Sequence, residues 1–404
     1  MNRFVRLAVI GAVALRVVAA VVLVAGPWAD EPSELAGWDV ERFHQIAQEP
    51  GRPWVDHKVE YPPAAVAIIE VVDQKRIVDS HRVLVAASLI VDIGIGWLIG
   101  TVWGRKPRAV YFLVGVPLIP MGLLRLDLWS AGAAVGAVAL WHQSRSSPRW
   151  FIGPLGFSVV TTVAAMIKVW PALLVAAVLT DPRRGRAYSA ATVVAGGLAG
   201  AAWMIYGHMS LDPLIQVISL RGATGWHVES VAGSILGIIG HDEARLELNA
   251  YRIGTINPLV AGVGRILALG AIGVLTWLGR RAANVGSIRT TVIVGLTMAG
   301  SVSALLVTSP LLSPQFLLWL VPWVAIGADH RRIVALGAGA ITTTGVTLLL
   351  FSPPNLDGRL ASSMLLGRDL LLVLLWVACA RILYCGARPN GSFGAGSEPQ
   401  TMPC

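Results

Sequence analysis

The chain has 404 residues, of which 55% are hydrophobic and only 14% are charged, and its mean hydropathy is +0.67. This composition is typical of a membrane protein with many apolar helices, and it excludes an ordinary soluble domain. The net charge of +9 does not indicate a nucleic-acid partner, because the Lys and Arg residues occur in short clusters between apolar runs, as they do in loops that set membrane topology.

The first predicted membrane helix begins close to the N-terminus, where an apolar run of about 20 residues follows Arg3 and Arg6. The run is longer than the apolar core of a usual signal peptide, and no A-x-A site closes it, so we interpret it as a transmembrane helix. Further apolar runs recur as far as position 381, and several are short for a bilayer, which indicates broken or tilted helices. The sequence predicts an all-α polytopic membrane protein, a bundle of about 12 transmembrane helices within a range of about 10–13.

Clusters of Arg and Lys occupy every second linker between the apolar runs. Because such clusters stay on the cytoplasmic side, we expect a multi-pass protein of the cell membrane with both termini in the cytoplasm. This alternation requires segment 61–79 to be an outer or re-entrant helix, since a true span there would invert the later linkers. The two long loops, 27–82 and 207–257, then face outward, and their length predicts short amphipathic helices, the first of them over 39–48.

Residues 1–385 are expected to form one transmembrane domain, and residues 386–404, rich in Gly, Ser and Pro, a disordered cytoplasmic tail. The three cysteines show no CxxC or Cys/His spacing, and the histidines show no HxxH or HExxH spacing. Neither a zinc site nor a disulfide framework is therefore predicted. No Walker or Rossmann glycine pattern supports the use of a soluble nucleotide.

Carboxylates in the first long loop are candidates for proton transfer. Asp39 follows Gly37-Trp38 at the expected start of a short helix, where it either caps the helix or acts as a general base towards an attacking hydroxyl. Glu60 and Tyr61 precede two prolines, which force an extended entry and then favour a helix start. The prolines explain a turn at this place but leave the carboxylate of Glu60 unexplained, so Glu60 is a second candidate.

Further charged residues lie where apolar runs meet. Arg125 and Asp127 flank Leu126 between two runs, and they either pair with each other or bind a phosphate and a sugar hydroxyl. Lys168 lies within a long apolar stretch and precedes Val169-Trp170-Pro171, where the proline breaks the helix. A lone Lys can snorkel to the membrane interface, but an intramembrane cation beside a helix break indicates an anion-binding role.

The second long loop gathers Arg221, Trp226, His227 and Glu229. Glu229 and the serine after it either cap the next helix or belong to a second wall of a pocket. In that pocket Arg221 would bind a phosphate, and Trp226 would stack on a sugar ring. Gln315, at the start of a later apolar run, either belongs to a helix start or donates a hydrogen bond to a ligand.

Together these motifs resemble the GT-C superfamily of membrane glycosyltransferases. They are most similar to the actinobacterial polyprenol-phosphate-mannose-dependent mannosyltransferases of glycosyltransferase family 87, which include PimE-like enzymes. The residues that carry the resemblance, in matching order, are Trp38-Asp39, Glu60-Tyr61-Pro62-Pro63, Arg125-x-Asp127, Lys168-x-Trp170-Pro171, Glu229-Ser230, and Ser313-Pro314-Gln315-Phe316 followed by Leu-Leu-Trp-Leu.

The resemblance implies inverting transfer of a sugar, mannose in that family, from a polyprenyl-phosphate donor to a hydroxyl of a glycolipid or lipoglycan at the outer face. Asp39 matches the catalytic carboxylate of the family. Phe43 stands where a tyrosine is common, which leaves the donor and acceptor preference open. A phosphate monoester leaving group needs cations rather than an acid, and Arg125, Lys168 and Arg221 are the candidates.

The remaining candidates for contact with the sugar or the acceptor are polar and aromatic side chains on the same expected face: Glu60, Tyr61, Asp127, Trp170, Trp226, His227, Glu229 and Gln315. We expect no cofactor and no metal, and the lipid bilayer as a partner. An arabinose donor would need similar groups, so the choice of mannose rests on the resemblance, and the sequence does not indicate the oligomeric state. A transporter or flippase for lipid-linked sugars is the alternative of a different class, and it predicts charged groups near mid-bilayer on both sides.

Overall fold

The computed structural model describes residues 3–25, 33–145, 152–206, 210–218, 223–240, 243–248, 250–351 and 356–388. The helices of the first half are α1 (Arg3–Ala25), α2 (Ser33–Gln48), α3 (Pro63–Val72), α4 (Ile77–Val102), α5 (Arg105–Val114), α6 (Ile119–Leu123), α7 (Asp127–Ser144), α8 (Ile152–Ile167) and α9 (Leu174–Val178). Those of the second half are α10 (Gly185–Tyr206), α11 (Asp212–Ile218), α12 (Val231–Ile239), α13 (Pro258–Val285), α14 (Thr290–Thr308), α15 (Val321–Ile326), α16 (Arg331–Leu350) and α17 (Arg359–Gly386). The short strands are β1 (Trp226–His227), β2 (Arg245–Glu247) and β3 (Ala250–Ile253), and 3₁₀ segments precede α6, α9 and α15 at Val116–Leu118, Trp170–Leu173 and Pro314–Trp319.

Seven helices in the described part of the chain are long and apolar enough to cross a membrane: α1, α4, α10, α13, α14, α16 and α17. An eighth span results if Val116–Leu123 and Asp127–Ser144, which meet at an angle of 107°, are counted as one broken span. The chain is therefore a mostly helical polytopic membrane protein, as predicted. The predicted count of about 12 spans is not confirmed.

Prolines explain why several predicted spans are short. The apolar runs near 169–180 and 314–328 are each divided into a 3₁₀ segment and a short α-helix. Pro171 is the second residue of the first 3₁₀ segment, and Pro322 is the second residue of α15, just after the other 3₁₀ segment. Proline lacks an N–H group and its ring obstructs the preceding turn, so it interrupts the regular α-helical hydrogen bonding. Hydropathy along the sequence shows the apolar run but not the break within it.

The centre of the bundle is α14, which is buried on nearly all sides and packs against α13, α15 and α17. Its small residues allow this close packing. A Cβ atom added to Gly295 would lie 2.6 Å from Cγ2 of Ile326 on α15, closer than two carbon atoms approach. By contrast, α13 exposes large apolar side chains such as Ile266 and Leu269 along one side, as a helix in contact with lipid does.

Several linkers meet at one end of the bundle. Asp329, between α15 and α16, bridges Lys106 and Arg289, each at 3.1 Å. The ring of Trp103 stacks on that of His142 in the last turn of α7. Because α7 has 18 residues and is about 27 Å long, its first residue lies at the opposite end of the bundle, separated by nearly the thickness of a hydrocarbon core.

The first long loop contains α2 and α3, which pack on each other and on α4. With 10 residues, α3 is too short to be a candidate span, and it covers part of the predicted outer or re-entrant segment. Nδ1 of His44 lies 2.7 Å from Oδ1 of Asp73, and Asp73 also accepts hydrogen bonds from Gln48 and Ser80. The end of α2 is thereby tied to the connection between α3 and α4.

The second long loop contains α11, α12 and an antiparallel sheet with strand order β1-β3-β2, in which Trp226 pairs with Ile253. The sheet was not predicted, because strands of two to four residues give no alternation long enough to recognise. Ser230 caps α12, since its hydroxyl accepts a hydrogen bond from the N–H of Gly233.

The last helix, α17, continues to Gly386, one residue beyond the predicted end of the transmembrane domain. Residues 389–404, most of the predicted tail, lie outside the described residues, as does Arg221 of the second loop. The disordered tail and the role of Arg221 therefore stay predictions.

Candidate functional site

The carboxylate of Asp39 forms an ion pair with the guanidinium of Arg125. Asp39 lies in the second turn of α2, which begins at Ser33, so it does not cap that helix. Arg125 lies in the sharp break between α6 and α7. Both side chains are mostly buried, with 21% of Asp39 and 17% of Arg125 exposed. Two distant segments that sequence analysis singled out separately thus meet in one ion pair.

Arg125 is surrounded by acidic groups but retains an unused donor. Besides its pairing with Asp39, the guanidinium of Arg125 interacts electrostatically with Asp127 and Glu229. Its Nε atom is buried and has no hydrogen-bond acceptor among the described residues. A buried N–H group without an acceptor is costly. The guanidinium is therefore suited to one more acceptor, such as a phosphate oxygen.

Asp127, the first residue of α7, is the buried partner of Lys168. Its Oδ2 lies 3.7 Å from Nζ of Lys168, and its Oδ1 accepts a hydrogen bond of 2.7 Å from the indole of Trp319. Lys168 follows the end of α8, where the helix stops ahead of Pro171. Its side chain is 20% exposed, whereas that of Asp127 is 1% exposed, so the carboxylate anchors a cation that remains accessible.

Aromatic rings enclose Lys168. Nζ lies 5.2 Å from the ring centroid of Tyr61 and 5.7 Å from that of Phe316, both within the range of cation–π attraction. Phe316 stacks on Trp319, which also stacks on Trp170, with centroid distances of 4.4 and 5.4 Å. The rings of Tyr61 and Phe316 lie beside the ammonium group and restrict its movement.

A second group of charges adjoins this site at the start of α12. The guanidinium of Arg368, on α17, donates to the main-chain oxygen of Glu229, and its Nη1 lies 3.6 Å from Oε2 of the same residue. Arg368 also binds the neighbouring Asp369 at 2.8 Å. All three side chains are almost completely buried. The charges of Glu229 and Arg125 interact. Because Arg125 also pairs with Asp39, this second group is linked electrostatically to Asp39.

Burial sets the protonation of the loop residues in this group. It raises the pKa of Glu229 to about 8; Arg368 and Arg125 oppose the rise and Asp369 adds to it. Burial, aided by Arg252 and Arg368, lowers the pKa of His227 to about 3. Nδ1 of the neutral His227 accepts the N–H of Glu229 at 3.3 Å, so its proton lies on Nε2. At neutral pH, therefore, Glu229 is mostly protonated and His227 is neutral.

The other predicted residues have local partners. Glu60 forms a bidentate pair with Arg42 of α2, at 3.2 and 3.0 Å, which ties α2 to the segment before α3. Trp226 is buried in β1. Oε1 of Gln315 accepts a hydrogen bond of 2.8 Å from Ser313, which orients the amide group.

Sequence analysis named Trp319 only as part of the Leu-Leu-Trp-Leu motif, without a role, and it missed Arg42, Arg368 and Asp369. One signal for the last two was visible, because adjacent opposite charges inside the apolar run of α17 are expensive unless something in the protein pairs with them. Arg42 and Trp319 had no such signal, since their partners are 18 and 192 residues away.

The arrangement brings two cations, Arg125 and Lys168, close to carboxylates and aromatic rings. It can bind an anion such as a phosphate beside Asp39, a carboxylate able to accept a proton. Across the described ranges, no group of three or more His, Cys, Asp and Glu side chains has the geometry to hold a metal ion. Comparison with models of known protein families finds none that matches the chain, and comparison with curated proteins finds no match either. The function is therefore argued from the site itself.

Proposed function

We propose that the chain is a membrane glycosyltransferase with a polyprenyl-phosphate sugar, most simply the mannose donor, as its substrate. It transfers the sugar to a hydroxyl of a glycolipid or lipoglycan, with inversion at the anomeric carbon. The observation that carries this proposal is the convergence of Asp39, Arg125, Asp127 and Lys168 from three separate segments onto one polar site at the end of an apolar bundle.

The cations match the leaving group of this reaction. When the bond between the anomeric carbon and the phosphate oxygen breaks, the electron pair stays on the phosphate, whose charge grows. Arg125 has five N–H donors and an unused Nε, so it can bind a phosphate oxygen while it remains near Asp39. Lys168 adds a point charge, and Asp127 holds it at the site.

Asp39 matches the task of the base. The acceptor hydroxyl loses its proton to the carboxylate as its oxygen bonds to the anomeric carbon, and one displacement completes the transfer. The neighbouring guanidinium of Arg125 favours the ionised carboxylate that this step needs. General-base assistance of this kind contributes a factor of about 10²–10⁴ in rate.

The surroundings supply a path for a lipid tail. An apolar groove between α3, α8 and α10 is lined by Trp54, Val66, Met166, Ala199, Trp203 and Tyr206. The groove adjoins the charged site through Tyr61, because Trp54 donates to the main-chain oxygen of Tyr61, whose ring lies 5.2 Å from Nζ of Lys168. A polyprenyl chain in this groove would place its phosphate near the ammonium group.

The topology that goes with this function is a GT-C-like bundle in the cell membrane, with residues 1–385 as one catalytic domain. In it the shorter helices act as broken spans, which raises the count from the seven long helices towards about 12. Both termini lie in the cytoplasm and the site faces outward. The joining of Lys106, Arg289 and Asp329 at the end of the bundle opposite Asp127 supports this orientation, because basic linkers stay in the cytoplasm.

One observation favours the alternative of a lipid-linked sugar flippase. Arg16 of α1 and Asp92 of α4 form an ion pair of 2.5 Å among apolar helices, and Tyr111 of α5 donates to the same carboxylate. Buried charges of this kind occur on transport paths. Here, however, Arg16 also donates to the main-chain oxygens of Ala12 and Phe112, so protein groups close the pair. This pattern fits a contact that holds the three helices together, called a helix lock below, better than a transport path.

The test is sugar transfer by the purified protein in lipid, with polyprenyl-phosphate mannose as donor and mixed mannolipids as acceptors. We expect the wild type to transfer mannose and Asp39→Asn to lose at least about 10²-fold in rate while it still binds the donor. Asp56→Asn is the matched control, because Asp56 is an exposed carboxylate of the same loop that also pairs with an arginine, Arg52. Equal rates for wild type and Asp39→Asn would remove Asp39 from the reaction.

Two further arms separate the alternatives. Transfer from the arabinose donor, and not from the mannose donor, would change the sugar but keep the reaction. Movement of the donor across the bilayer by the wild type, without transfer from either donor, would establish the flippase instead.

A further inference from the structure

Trp54, in the first long loop, is held in a costly backbone conformation. Its φ angle is +65°, in the left-handed region that bulky side chains rarely adopt. Across the described ranges, Leu248 is the only other residue besides glycine with a positive φ angle. Such strain persists where surrounding contacts enforce it, and it is concentrated at places that bind ligands. Sequence analysis assigned no role to Trp54.

Two hydrogen bonds fix the position of Trp54. Its indole N–H donates to the main-chain oxygen of Tyr61 at 3.0 Å. Its own main-chain oxygen accepts a hydrogen bond of 3.2 Å from Nε2 of Gln216, on α11. Oε1 of the same amide accepts the N–H of Val59 at 3.0 Å. One side chain of the second long loop therefore holds both ends of segment 54–59.

The ring of Trp54 forms part of the wall of the apolar groove between α3, α8 and α10. It lies edge-to-face with Trp203 and Tyr206 of α10, with centroid distances of 5.4 and 6.2 Å. The groove has a volume of about 450 Å³, which is within the range of pockets that hold small ligands. An apolar chain that enters the groove packs against this ring.

The same side chain reaches the charged site through Tyr61. The ring of Tyr61 lies 5.2 Å from Nζ of Lys168 and packs edge-to-face on Phe43 of α2, with a centroid distance of 5.4 Å. Trp54 therefore contacts both the groove and the residue beside the cation. An apolar groove that adjoins cations matches an amphiphile with an anionic head, as a polyprenyl monophosphate is.

We propose, resting on the proposed function above, that Trp54 selects the donor by its isoprenoid tail and positions its phosphate. The tail packs against the indole ring. The indole N–H holds Tyr61, whose ring keeps Lys168 beside the phosphate. Trp54 acts on the phosphate through these two residues and does not touch the reacting atoms. Because the two roles belong to different parts of one side chain, substitutions can separate them.

The experiment measures binding of a long-chain polyprenyl monophosphate and of geranyl monophosphate, which has a short tail, to the purified full-length protein in lipid nanodiscs. Concentrations are expressed as mole fractions in the lipid, so the partition of each tail into the bilayer cancels. We expect the wild type to bind the long-chain compound about fivefold or more tightly, because its tail gains contacts with the rings of the groove.

Trp54→Gly tests the selection of the tail. Glycine adopts a positive φ angle without strain, so this variant removes the ring and keeps the backbone path. The ratio of the two affinities should fall close to one. Trp97→Ala is the matched control, because Trp97 of α4 is 63% exposed, and this variant should leave the ratio as in the wild type.

Trp54→Phe tests the positioning of the phosphate, because it keeps a ring in the groove and loses the N–H donor. We expect both affinities to fall by a similar factor, about two- to tenfold, while the ratio between them stays close to that of the wild type. The loss should disappear in a Tyr61→Leu background, since residues that act through one another are not additive.

Equal binding of the two monophosphates by the wild type would overturn the selecting role without any variant, and so would an unchanged ratio in a folded Trp54→Gly. The same loss from Trp54→Phe with Tyr61 and with Leu at position 61 would overturn the positioning role. The expected binding without sugar transfer would keep both roles and reject the glycosyltransferase. Sugar transfer without a preference for the long tail would keep the enzyme and reject the role of Trp54.

Discussion

At the residue level, the proposed function gives Lys168 the role of binding an anion. Its partner Asp127 is buried and also bound by Trp319, so the ammonium group cannot move far, yet one fifth of the side chain is exposed. We expect Lys168→Met to lower kcat/KM for the donor roughly 10- to 100-fold, since a charged hydrogen bond contributes about 1.5–3 kcal/mol. Lys168→Arg should lose less, because it keeps the charge between the two rings. Transfer kinetics at varied donor concentration measure both.

A structural defect has to be separated from the lost charge, because Lys168→Met leaves Asp127 buried without its cation. Lys168→Met combined with Asp127→Asn removes that unpaired charge, so thermal stability should recover while donor affinity does not. Lys106→Met is the matched control, since Lys106 pairs with Asp329 at the other end of the bundle. A recovery of donor affinity in the double variant would contradict the binding role of Lys168.

At the level of elements, the position of α2 decides where Asp39 lies. Burial alone would raise the pKa of Asp73, but hydrogen bonds from His44, Gln48 and Ser80 outweigh it and leave that pKa below its ordinary value. The carboxylate therefore stays ionised at neutral pH and keeps the end of α2 bound. We expect Asp73→Ala to speed hydrogen exchange in α2 and to lower kcat, as measured by mass spectrometry and transfer assays.

Asp79→Ala provides the comparison for this test. Asp79 lies in the first turn of α4 and pairs with Arg76 and Arg82 near the surface, where ion pairs contribute little. Its loss should leave both exchange and kcat as in the wild type. Unchanged exchange in the Asp73 variant would show that packing against α3 and α4 is sufficient to hold α2.

The same elements show what sequence can predict. Helical spacing indicated the helix over 39–48, and Pro171 indicated the break beside Lys168, because both are local properties of the chain. The pairing of Asp39 with Arg125, 86 residues away, depends on how helices pack and has no local signal. The small sheet was missed for a local reason, because its strands are too short to show a pattern.

At the level of the whole molecule, the pair of Arg16 and Asp92 joins α1 to α4, and Tyr111 adds α5. Removing one partner of a buried ion pair leaves the other charge uncompensated, which costs about 3–5 kcal/mol, whereas replacing both is often nearly neutral. We therefore expect Arg16→Met to lower the thermal unfolding temperature in lipid strongly. Arg16→Met with Asp92→Asn should recover most of this loss and keep an acceptor for Tyr111.

The double variant also separates the lock from a transport path. A lock needs only that the three helices stay together, so a stable double variant should transfer sugar at close to the wild-type rate. A path needs the charges themselves, so the same variant would lose any movement of lipid-linked sugar across the bilayer. Retained stability with lost transfer would mean that this pair acts on the site as well, through α6 and the first turn of α7, whose Ile119 and Leu128 line the cavity beside Arg16.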